Sequence, residues 1–222
     1  MINGVRFKVC GLTSQVDAVL AAECGADYLG FIFYPKSPRY VSLETYRSMS
    51  AHLPLKPKVA VAVEPTAQEV ARLKDAGFDC FQFHFPQETP RSCVEAWSAA
   101  VTPEKLWLAP RLPQRATIEP ALFALANTFL LDTYRADSFG GSGQAGDWSA
   151  FARMKTEYAR LNWILAGGLA PDNILAALAA TGASTVDVNS GVESVPGIKS
   201  AEKLHRFCDA LRTLPLRSRP PF

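Results

Sequence analysis

The strongest constraint on the fold is a regular alternation of strand-like and helix-like segments along the chain. Short apolar stretches are each followed by a segment with helical spacing of apolar residues, and glycines or prolines separate them. The predicted strands are residues 6–10, 27–34, 58–63, 78–85, 105–109, 128–133, 163–166 and 185–189. Eight strand–helix units in 222 residues favour an α/β protein with a single-domain (β/α)8 TIM barrel over an open, doubly wound sheet.

Local signals mark where several helices begin. Ser14 with Asp17, and Thr66 with Glu69, predict capping boxes at the starts of the first and third helices. The predicted helix after the fifth strand, near residues 119–126, is the least well marked because prolines crowd its start. The pattern therefore predicts the helices as well as the strands, with the weakest point after strand 5.

Composition limits the classes of function. A formal net charge of +2, without a stripe of lysine or arginine, argues against a nucleic-acid partner. No apolar run reaches the length of a membrane span, and the N-terminus lacks a signal-peptide pattern. The five cysteines are odd in number and lack metal-type spacing, so we expect free thiols, no metal and a cytoplasmic location. We expect the barrel to span residues 1–214, with a loosely ordered tail at 215–222.

Two glycine-bearing strand ends near the C-terminus predict a phosphate site. Residues 165–169 and 186–193 each have the pattern of a buried strand that breaks at glycine where a helix should begin. Glycine permits close approach and positive φ, and a helix start offers unpaired amides. In a (β/α)8 barrel, phosphate commonly binds the loops after strands 7 and 8. A single tight turn would explain one such glycine run, but two at this separation favour phosphate.

The catalytic candidates lie at the C-terminal ends of strands, where barrel enzymes place their chemistry. Cys10 ends the first strand and Asp132 the sixth, so a thiol and a carboxyl can face one another across the barrel mouth. A carboxyl in such a dry site can have a raised pKa and donate a proton near neutral pH. Lys8 leaves the same strand face as Cys10, and it either favours the thiolate or pairs with Asp187 of strand 8. An acid and a base in this arrangement suit proton transfer on a sugar phosphate.

Further candidates lie at the same end of the barrel. Arg39, in the loop after strand 2, can hold a carboxylate bidentately, although an isolated loop arginine is more often a solvated surface residue. Gln82 and His84 end the fourth strand, where a lone histidine is more often a structural group.

Taken together, these motifs resemble the phosphoribosylanthranilate isomerases of tryptophan biosynthesis. The matching runs, in the order of the family, are residues 8–13, 30–33, 37–39, 131–133, 140–143, 147–148, 165–169, 187–193 and 196–199. The resemblance implies an Amadori rearrangement, from aldose to ketose, of N-(5'-phosphoribosyl)anthranilate. Its product is 1-(2-carboxyphenylamino)-1-deoxyribulose 5-phosphate, and the reaction uses no metal or organic cofactor.

The resemblance also implies the roles of individual residues. Cys10 would be the general base and Asp132 the general acid. Arg39 would hold the anthranilate carboxylate, with Gln82 and His84 on the substrate side of the cavity. The residues around the phosphate and its adjoining loop would be Gly141, Gly143, Gly167, Gly168, Ser190 and Gly191.

The chain departs from the family pattern at a few positions, and two other functions stay open. Phe85 stands where the family usually has glycine, and Pro86 follows it, so we expect a reshaped loop after strand 4. Asn189 stands where serine is more usual. One alternative is the related histidine-pathway aminosugar-phosphate isomerase, which uses an aspartate where this chain has Cys10. The other is a catalytically inactive sugar-phosphate-binding barrel. Monomer and homodimer are both compatible with the sequence.

Overall fold

Eight parallel strands form a closed barrel in which each strand is hydrogen-bonded to the next and the last pairs with the first. The computed structural model describes residues 1–112, 117–132 and 148–215. The barrel strands are β1 (Arg6–Val9), β2 (Tyr28–Ile32), β3 (Lys58–Val63), β4 (Cys80–Pro86), β5 (Leu106–Arg111), β6 (Thr128–Asp132), β7 (Asn162–Ala166) and β8 (Thr185–Val188). The predicted single-domain (β/α)8 architecture is confirmed.

Helices follow most of the strands and surround the barrel. They are α1 (Gln15–Glu23), α2 (Leu43–Ser50), α3 (Ala67–Asp75), α4 (Arg91–Val101), α5 (Trp148–Glu157), α6 (Ile174–Thr181) and α7 (Ala201–Arg212). Between β5 and β6 the described residues form a 3₁₀ turn, Pro120–Ala124, rather than the α-helix predicted near 119–126. The N–H of Leu125 donates to the carbonyl of Leu122, and the carbonyl of Leu125 accepts the Ser98 hydroxyl at 2.7 Å, so the chain leaves the helical path before β6 starts at Thr128.

The caps that start these helices agree in part with the predictions. Thr66 and Glu69 form the complete capping box at the start of α3. At α1, Ser14 accepts a hydrogen bond from the backbone N–H of Asp17, which is half of the predicted box. The carboxylate of Asp17 instead accepts the backbone N–H of Lys199, so it ties the first helix to the last loop.

Side chains alternate between the two faces of each strand, which gives the barrel two apolar layers. Outward residues such as Phe7, Phe31 and Phe83 are fully buried under the helices. The inward apolar cluster is Cys10, Val59, Val61, Trp107, Ala109, Leu130, Ile164 and Ala166. The last inward residue of a strand therefore lies at the C-terminal mouth of the barrel.

A short antiparallel hairpin that the sequence pattern did not predict follows β8. It consists of β9 (Glu193–Val195) and β10 (Ile198–Lys199). The Thr13 hydroxyl donates to the carbonyl of Gly197 at 2.6 Å, so the hairpin lies against the loop after β1. This β9–β10 hairpin is too short to produce an alternation of apolar and polar residues, which is why the sequence did not reveal it.

Strand β4 includes both residues of the departure at Phe85 and Pro86. Pro86 pairs with Arg111 of β5, and the Phe85 ring packs outward against Trp97 of α4 with centroids 5.7 Å apart. Strands β4 and β5 therefore both end later than the predicted residues 85 and 109, and the reshaped loop remains a prediction. Among the described residues no helix is long and apolar enough to cross a membrane. The predicted tail lies outside them from residue 216 onward.

Candidate active site

A cavity of about 270 Å³ opens at the C-terminal mouth of the barrel. Seven of the predicted site residues line it, namely Cys10, Gln82, His84, Asp132, Gly167, Gly168 and Ser190. Arg39 and Gly191 lie beside the cavity without lining it, and Gly141 and Gly143 lie outside the described residues. The fold therefore brings most of the predicted site residues together at one cavity, and their roles remain predictions.

Cys10 follows β1 directly and is held by the last strand. Its backbone N–H donates to the carbonyl of Val188 at 2.9 Å, and its side chain is buried at the cavity wall. Burial raises the pKa of the Cys10 thiol, while the Lys8 ammonium beside it acts in the opposite direction. The thiol thus sits in an apolar wall with one cation close enough to stabilise its ionised form.

Lys8 pairs with Asp187, which is one of the two alternatives that the sequence left open, and it also lies beside the Cys10 thiol. Its ammonium lies 2.9 Å from Oδ2 of Asp187 inside the barrel, where the Lys8 side chain is fully buried. Burial lowers the pKa of Lys8, but Asp187 and Cys10 outweigh that effect and raise it overall. Lys8 therefore carries a positive charge that is shared between a carboxylate and the thiol.

Gly30, in the middle of β2, makes room for this group. A Cβ at Gly30 would lie 2.7 Å from Cε of Lys8 and 3.2 Å from Sγ of Cys10. A glycine inside an apolar strand marks a close approach of neighbouring groups. Sequence reasoning did not single out Gly30, although its position inside an apolar run was an available signal.

Gln82 and His84 form a polar pair on the β4 side of the cavity. The Gln82 amide nitrogen donates to Nε2 of His84 at 2.8 Å, which leaves the ring proton on Nδ1. Burial, with smaller contributions from Lys8 and Arg111, lowers the pKa of His84 to about 4. The imidazole is therefore neutral near pH 7 and offers hydrogen bonds rather than charge. Within the described residues, the buried Oε1 of Gln82 has no hydrogen-bond partner.

The loops after β7 and β8 meet at the opposite side of the cavity. Gly167 and Gly168 have φ values of 97° and 63°, which L side chains rarely adopt. The side chain of Asn173 holds this turn by donating to the carbonyl of Gly168 at 2.8 Å and accepting from the N–H of Ala170. Space above Gly168 is open, with nothing within 4 Å of a Cβ placed there.

Gly191 lies where the two loops touch. A Cβ at this position would be 2.0 Å from the carbonyl oxygen of Leu169, so only glycine allows the contact. Gly191 belongs to a 3₁₀ turn, Ser190–Val192, whose first backbone N–H groups have no partner within the turn. These amides, together with the open space at Gly168, form a concave surface suited to an anion.

Asp132 lines the cavity at the end of β6, and Arg39 lies beside the cavity. Asp132 is the last residue of β6, and it is exposed at the cavity. The Arg39 side chain crosses the loop after β1, where a Cβ at Gly11 would lie 2.7 Å from its Cδ. Its guanidinium binds Glu193 bidentately, with Nε and Nη2 donating at 2.7–3.0 Å. Glu193, which sequence reasoning did not single out, therefore belongs to the site region.

A concave surface suited to an anion, a buried thiol and an exposed carboxyl on one (β/α)8 mouth fit one class of protein, the aldose–ketose isomerases that act on sugar phosphates. The family model described as N-(5'phosphoribosyl)anthranilate (PRA) isomerase matches residues 7–210. The chain belongs to this family of isomerases of tryptophan biosynthesis.

Individual relatives agree with that assignment. The N-(5'-phosphoribosyl)anthranilate isomerase of Pseudomonas putida is 39% identical over 217 residues, covering 95% of this chain and 99% of that protein. That of Neisseria gonorrhoeae is 36% identical, covering 91% and 94%. The crystal structure of the phosphoribosyl anthranilate isomerase from Thermotoga maritima superimposes with a TM-score of 0.80 at 32% identity, covering 95% of this chain and all of that chain.

A second solved structure carries a ligand. It is a phosphoribosyl anthranilate isomerase in complex with reduced 1-(o-carboxyphenylamino)-1-deoxyribulose 5-phosphate, with a TM-score of 0.76 and 30% identity, covering 95% of this chain and 100% of that chain.

Proposed function

We propose that Cys10 and Asp132 are the general base and general acid with which this chain isomerises N-(5'-phosphoribosyl)anthranilate. The observation that carries the proposal is that both side chains line one cavity together with the glycines of the β7 and β8 loops. The reaction requires one group that gives a proton to the sugar ring and another that removes a proton from carbon. A thiol and a carboxyl on separate strands supply these two groups.

The first step opens the furanose ring. Asp132 protonates the ring oxygen, the bond between C1 and that oxygen breaks, and the lone pair of the anthranilate nitrogen forms a protonated C=N double bond. Cys10 as thiolate then removes the proton from C2, which the iminium has acidified. The C–H electrons form the C1=C2 double bond of an enolamine. Loss of the proton from the C2 hydroxyl and protonation of C1 give the ketose.

The remaining predicted residues bind the substrate. Gly167, Gly168, Ser190 and Gly191 hold the phosphate through backbone amides and open space, which anchors one end of the substrate and so positions the reacting carbons. Gln82 and His84 face the sugar as neutral hydrogen-bonding groups. Arg39 binds the anthranilate carboxylate, and Gly141 and Gly143 contribute from the loop after β6.

Two substitutions test the acid and the base. We expect Cys10→Ser and Asp132→Asn each to lower kcat by about 100-fold or more, because each removes one proton-transfer group. Matched controls are Cys93→Ser and Asp75→Asn, which change exposed residues. Near-normal turnover in Cys10→Ser or Asp132→Asn would remove that residue from the mechanism. Growth of a tryptophan auxotroph that lacks this isomerase provides a parallel test in cells.

We also propose a cytoplasmic protein that is either a monomer or a homodimer, with the barrel at residues 1–214 and a loosely ordered tail at 215–222. All five cysteines are free thiols, which supports a reducing compartment. One solved relative, with a TM-score of 0.75, is described as monomers generated from the dimeric enzyme of Thermotoga maritima, so both states occur for a related barrel. Light scattering coupled to size-exclusion chromatography measures the oligomeric state, and limited proteolysis tests the tail.

A further inference from the structure

The carboxylate of Glu193 is buried and contacts two cations at once. Oε1 and Oε2 accept from Nε and Nη2 of Arg39, and Oε1 also accepts from the Lys199 ammonium at 2.8 Å. The side chains of Glu193 and Lys199 are 3% and 0% exposed, whereas that of Arg39 is 19% exposed. Of these three side chains, that of Arg39 is thus the one that reaches solvent, and it does so beside the cavity.

The charges of this group do not balance. Among these three side chains, Arg39 and Lys199 are two cations against the one carboxylate of Glu193. The other side-chain oxygen at the Lys199 ammonium is the uncharged amide oxygen of Asn189, at 3.0 Å, whereas the Asp17 carboxylate accepts the backbone N–H of Lys199. Asn189 lines the cavity, so the excess positive charge lies at the cavity wall. An anionic group on a ligand would balance the charge of these three side chains.

Glu193 also determines which side of the guanidinium remains for a ligand. A guanidinium can bind carboxylates along its Nε–Nη2 edge and along its Nη1–Nη2 edge. Glu193 occupies the first edge. Within the described parts of the chain, Nη1 of Arg39 has no hydrogen-bond partner, so the second edge remains for another carboxylate.

The β9–β10 hairpin holds Glu193 firmly. The Glu193 carboxylate accepts a hydrogen bond from the backbone N–H of Gly197 at 3.2 Å. The backbone carbonyl of Glu193 accepts one from the ammonium of Lys203 in α7 at 2.7 Å. With Arg39 and Lys199, these contacts leave the Glu193 carboxylate little freedom to move. A ligand that binds a loop arginine must restrict its side chain, which costs conformational entropy. That cost is smaller when a partner such as Glu193 already fixes the arginine before the ligand binds.

We propose that Glu193 is a positioning residue that fixes Arg39 beside the cavity, so that the free edge of the guanidinium receives the aryl carboxylate of the substrate. This inference rests on the proposed role of Arg39 as the carboxylate anchor. Glu193 touches neither the reacting atoms nor the carboxylate and acts through Arg39, while Lys199 and the β9–β10 hairpin hold Glu193 in place. Selectivity for a substrate with a carboxyl group on its ring therefore depends on a residue beyond strand β8.

The test compares two ligands that differ only in the carboxyl group. One is reduced 1-(o-carboxyphenylamino)-1-deoxyribulose 5-phosphate, and the other is the same compound without its carboxyl group. Calorimetry measures both dissociation constants for wild type, Arg39→Ala, Glu193→Gln and the double variant. The carboxylate ratio is the dissociation constant of the compound without the carboxyl group divided by that of the compound with it. Glu202→Gln, at an exposed position at the start of α7, is the matched control.

We expect Glu193→Gln to lower the carboxylate ratio about tenfold, because the Arg39 side chain would then have to be ordered when the ligand binds. Arg39→Ala should lower it at least as far, and Glu193→Gln should have no further effect on the ratio in the Arg39→Ala background. Glu193→Asp should restore part of the ratio. A residue with only a structural role would weaken both ligands equally and leave the ratio unchanged.

Each outcome separates this inference from the role of Arg39 itself. An unchanged ratio in Arg39→Ala overturns the proposed role of Arg39. A lowered ratio in Arg39→Ala with an unchanged ratio in Glu193→Gln overturns only the positioning role of Glu193, as does an additive loss in the double variant. If Glu193→Gln does not fold because Lys199 loses its carboxylate, Glu193→Gln with Lys199→Met removes both buried charges and gives the same readout.

Discussion

The ammonium of Lys8 lies 2.9 Å from Oδ2 of Asp187, which joins the first barrel strand to the last inside the core. Cys10 lies two residues beyond Lys8 on the same inward face, so the ion pair lies directly beneath the thiol. Lys8 and Asp187 affect the thiol in opposite directions, because a cation favours the thiolate and an anion disfavours it. The pair therefore gives a test in which two neighbouring substitutions have effects of opposite sign.

Lys8→Met should raise the pKa of the Cys10 thiol, and Asp187→Asn should lower it, since each removes one of these charges. The rate of iodoacetamide modification of the Cys10 peptide, followed by mass spectrometry as a function of pH, measures the change directly. A shift in the same direction for both variants would contradict the electrostatic role of the pair.

Lys8→Met also leaves the Asp187 carboxylate buried without its cation, which costs about 3–5 kcal/mol of stability. The double variant Lys8→Met with Asp187→Leu removes both charges and should fold better than Lys8→Met. Its thiol pKa should still be raised, because Lys8 affects the thiol more strongly than Asp187 does.

Gly168→Ala should raise KM about tenfold or more with a smaller effect on kcat, because the new methyl enters the open space proposed for the phosphate. The matched control is Gly77→Ala. Both glycines have positive φ, 63° and 80°, and neither has an atom within 4 Å of a new Cβ, but Gly77 follows α3 and does not line the cavity. Both variants should lose about 1 kcal/mol of stability from backbone strain. Equal KM values for the two variants would count against the phosphate site.

Gly30→Ala should lower kcat about 100-fold while the barrel remains folded, because the methyl displaces the Lys8 chain and the Cys10 thiol by a fraction of an ångström or more. Steady-state kinetics measures the loss, and the dissociation constant of the reduced product analogue shows whether binding at the phosphate end is retained. An unchanged kcat would mean that neither side chain needs its observed position.

His84 should make the fold sensitive to acid. Its pKa is about 4 in the folded chain against an ordinary value of 6.5, so between these values the unfolded chain binds a proton that the folded chain does not. The contribution of His84 to stability is therefore constant above about pH 6.5, and it falls as the pH drops towards 4, by up to about 3 kcal/mol. Urea unfolding at pH 7 and pH 4.5 should show a smaller loss for His84→Asn than for wild type, whereas His205→Asn, at an exposed position, should behave as wild type. Equal losses for His84→Asn and wild type would refute the contribution of His84.

Much of the fold was predictable because the barrel strands carry local patterns. Strand β2 is a continuous apolar run, and its side chains are buried or half-buried on both barrel faces. The 3₁₀ turn after β5 and the β9–β10 hairpin were not predicted, since their conformation depends on proline and on contacts from distant loops rather than on periodicity. The extension of β4 to Pro86 likewise depends on pairing with β5.

The site was predictable where position along a strand determines it, and less so elsewhere. Cys10 and Asp132 follow from the rule that strand ends face the barrel mouth. The position of Glu193 does not follow from this rule, because its partner Arg39 is 154 residues away and a polar residue beyond a strand normally belongs to the surface. Gly30 was missed because its role is to leave space for Lys8, which no local pattern reveals.

The pairing of β1 with β8 has a consequence for how the enzyme matures. Cys10 is made near the beginning of synthesis, but the carbonyl that fixes its backbone and the carboxylate that holds its neighbouring ammonium both belong to β8. A nascent polypeptide that has emerged only as far as α6 therefore contains the Cys10 thiol, the proposed general base, without the groups of β8 that surround it in the folded barrel. The surroundings of this thiol are therefore complete only after the eighth strand has been synthesised and has paired with the first.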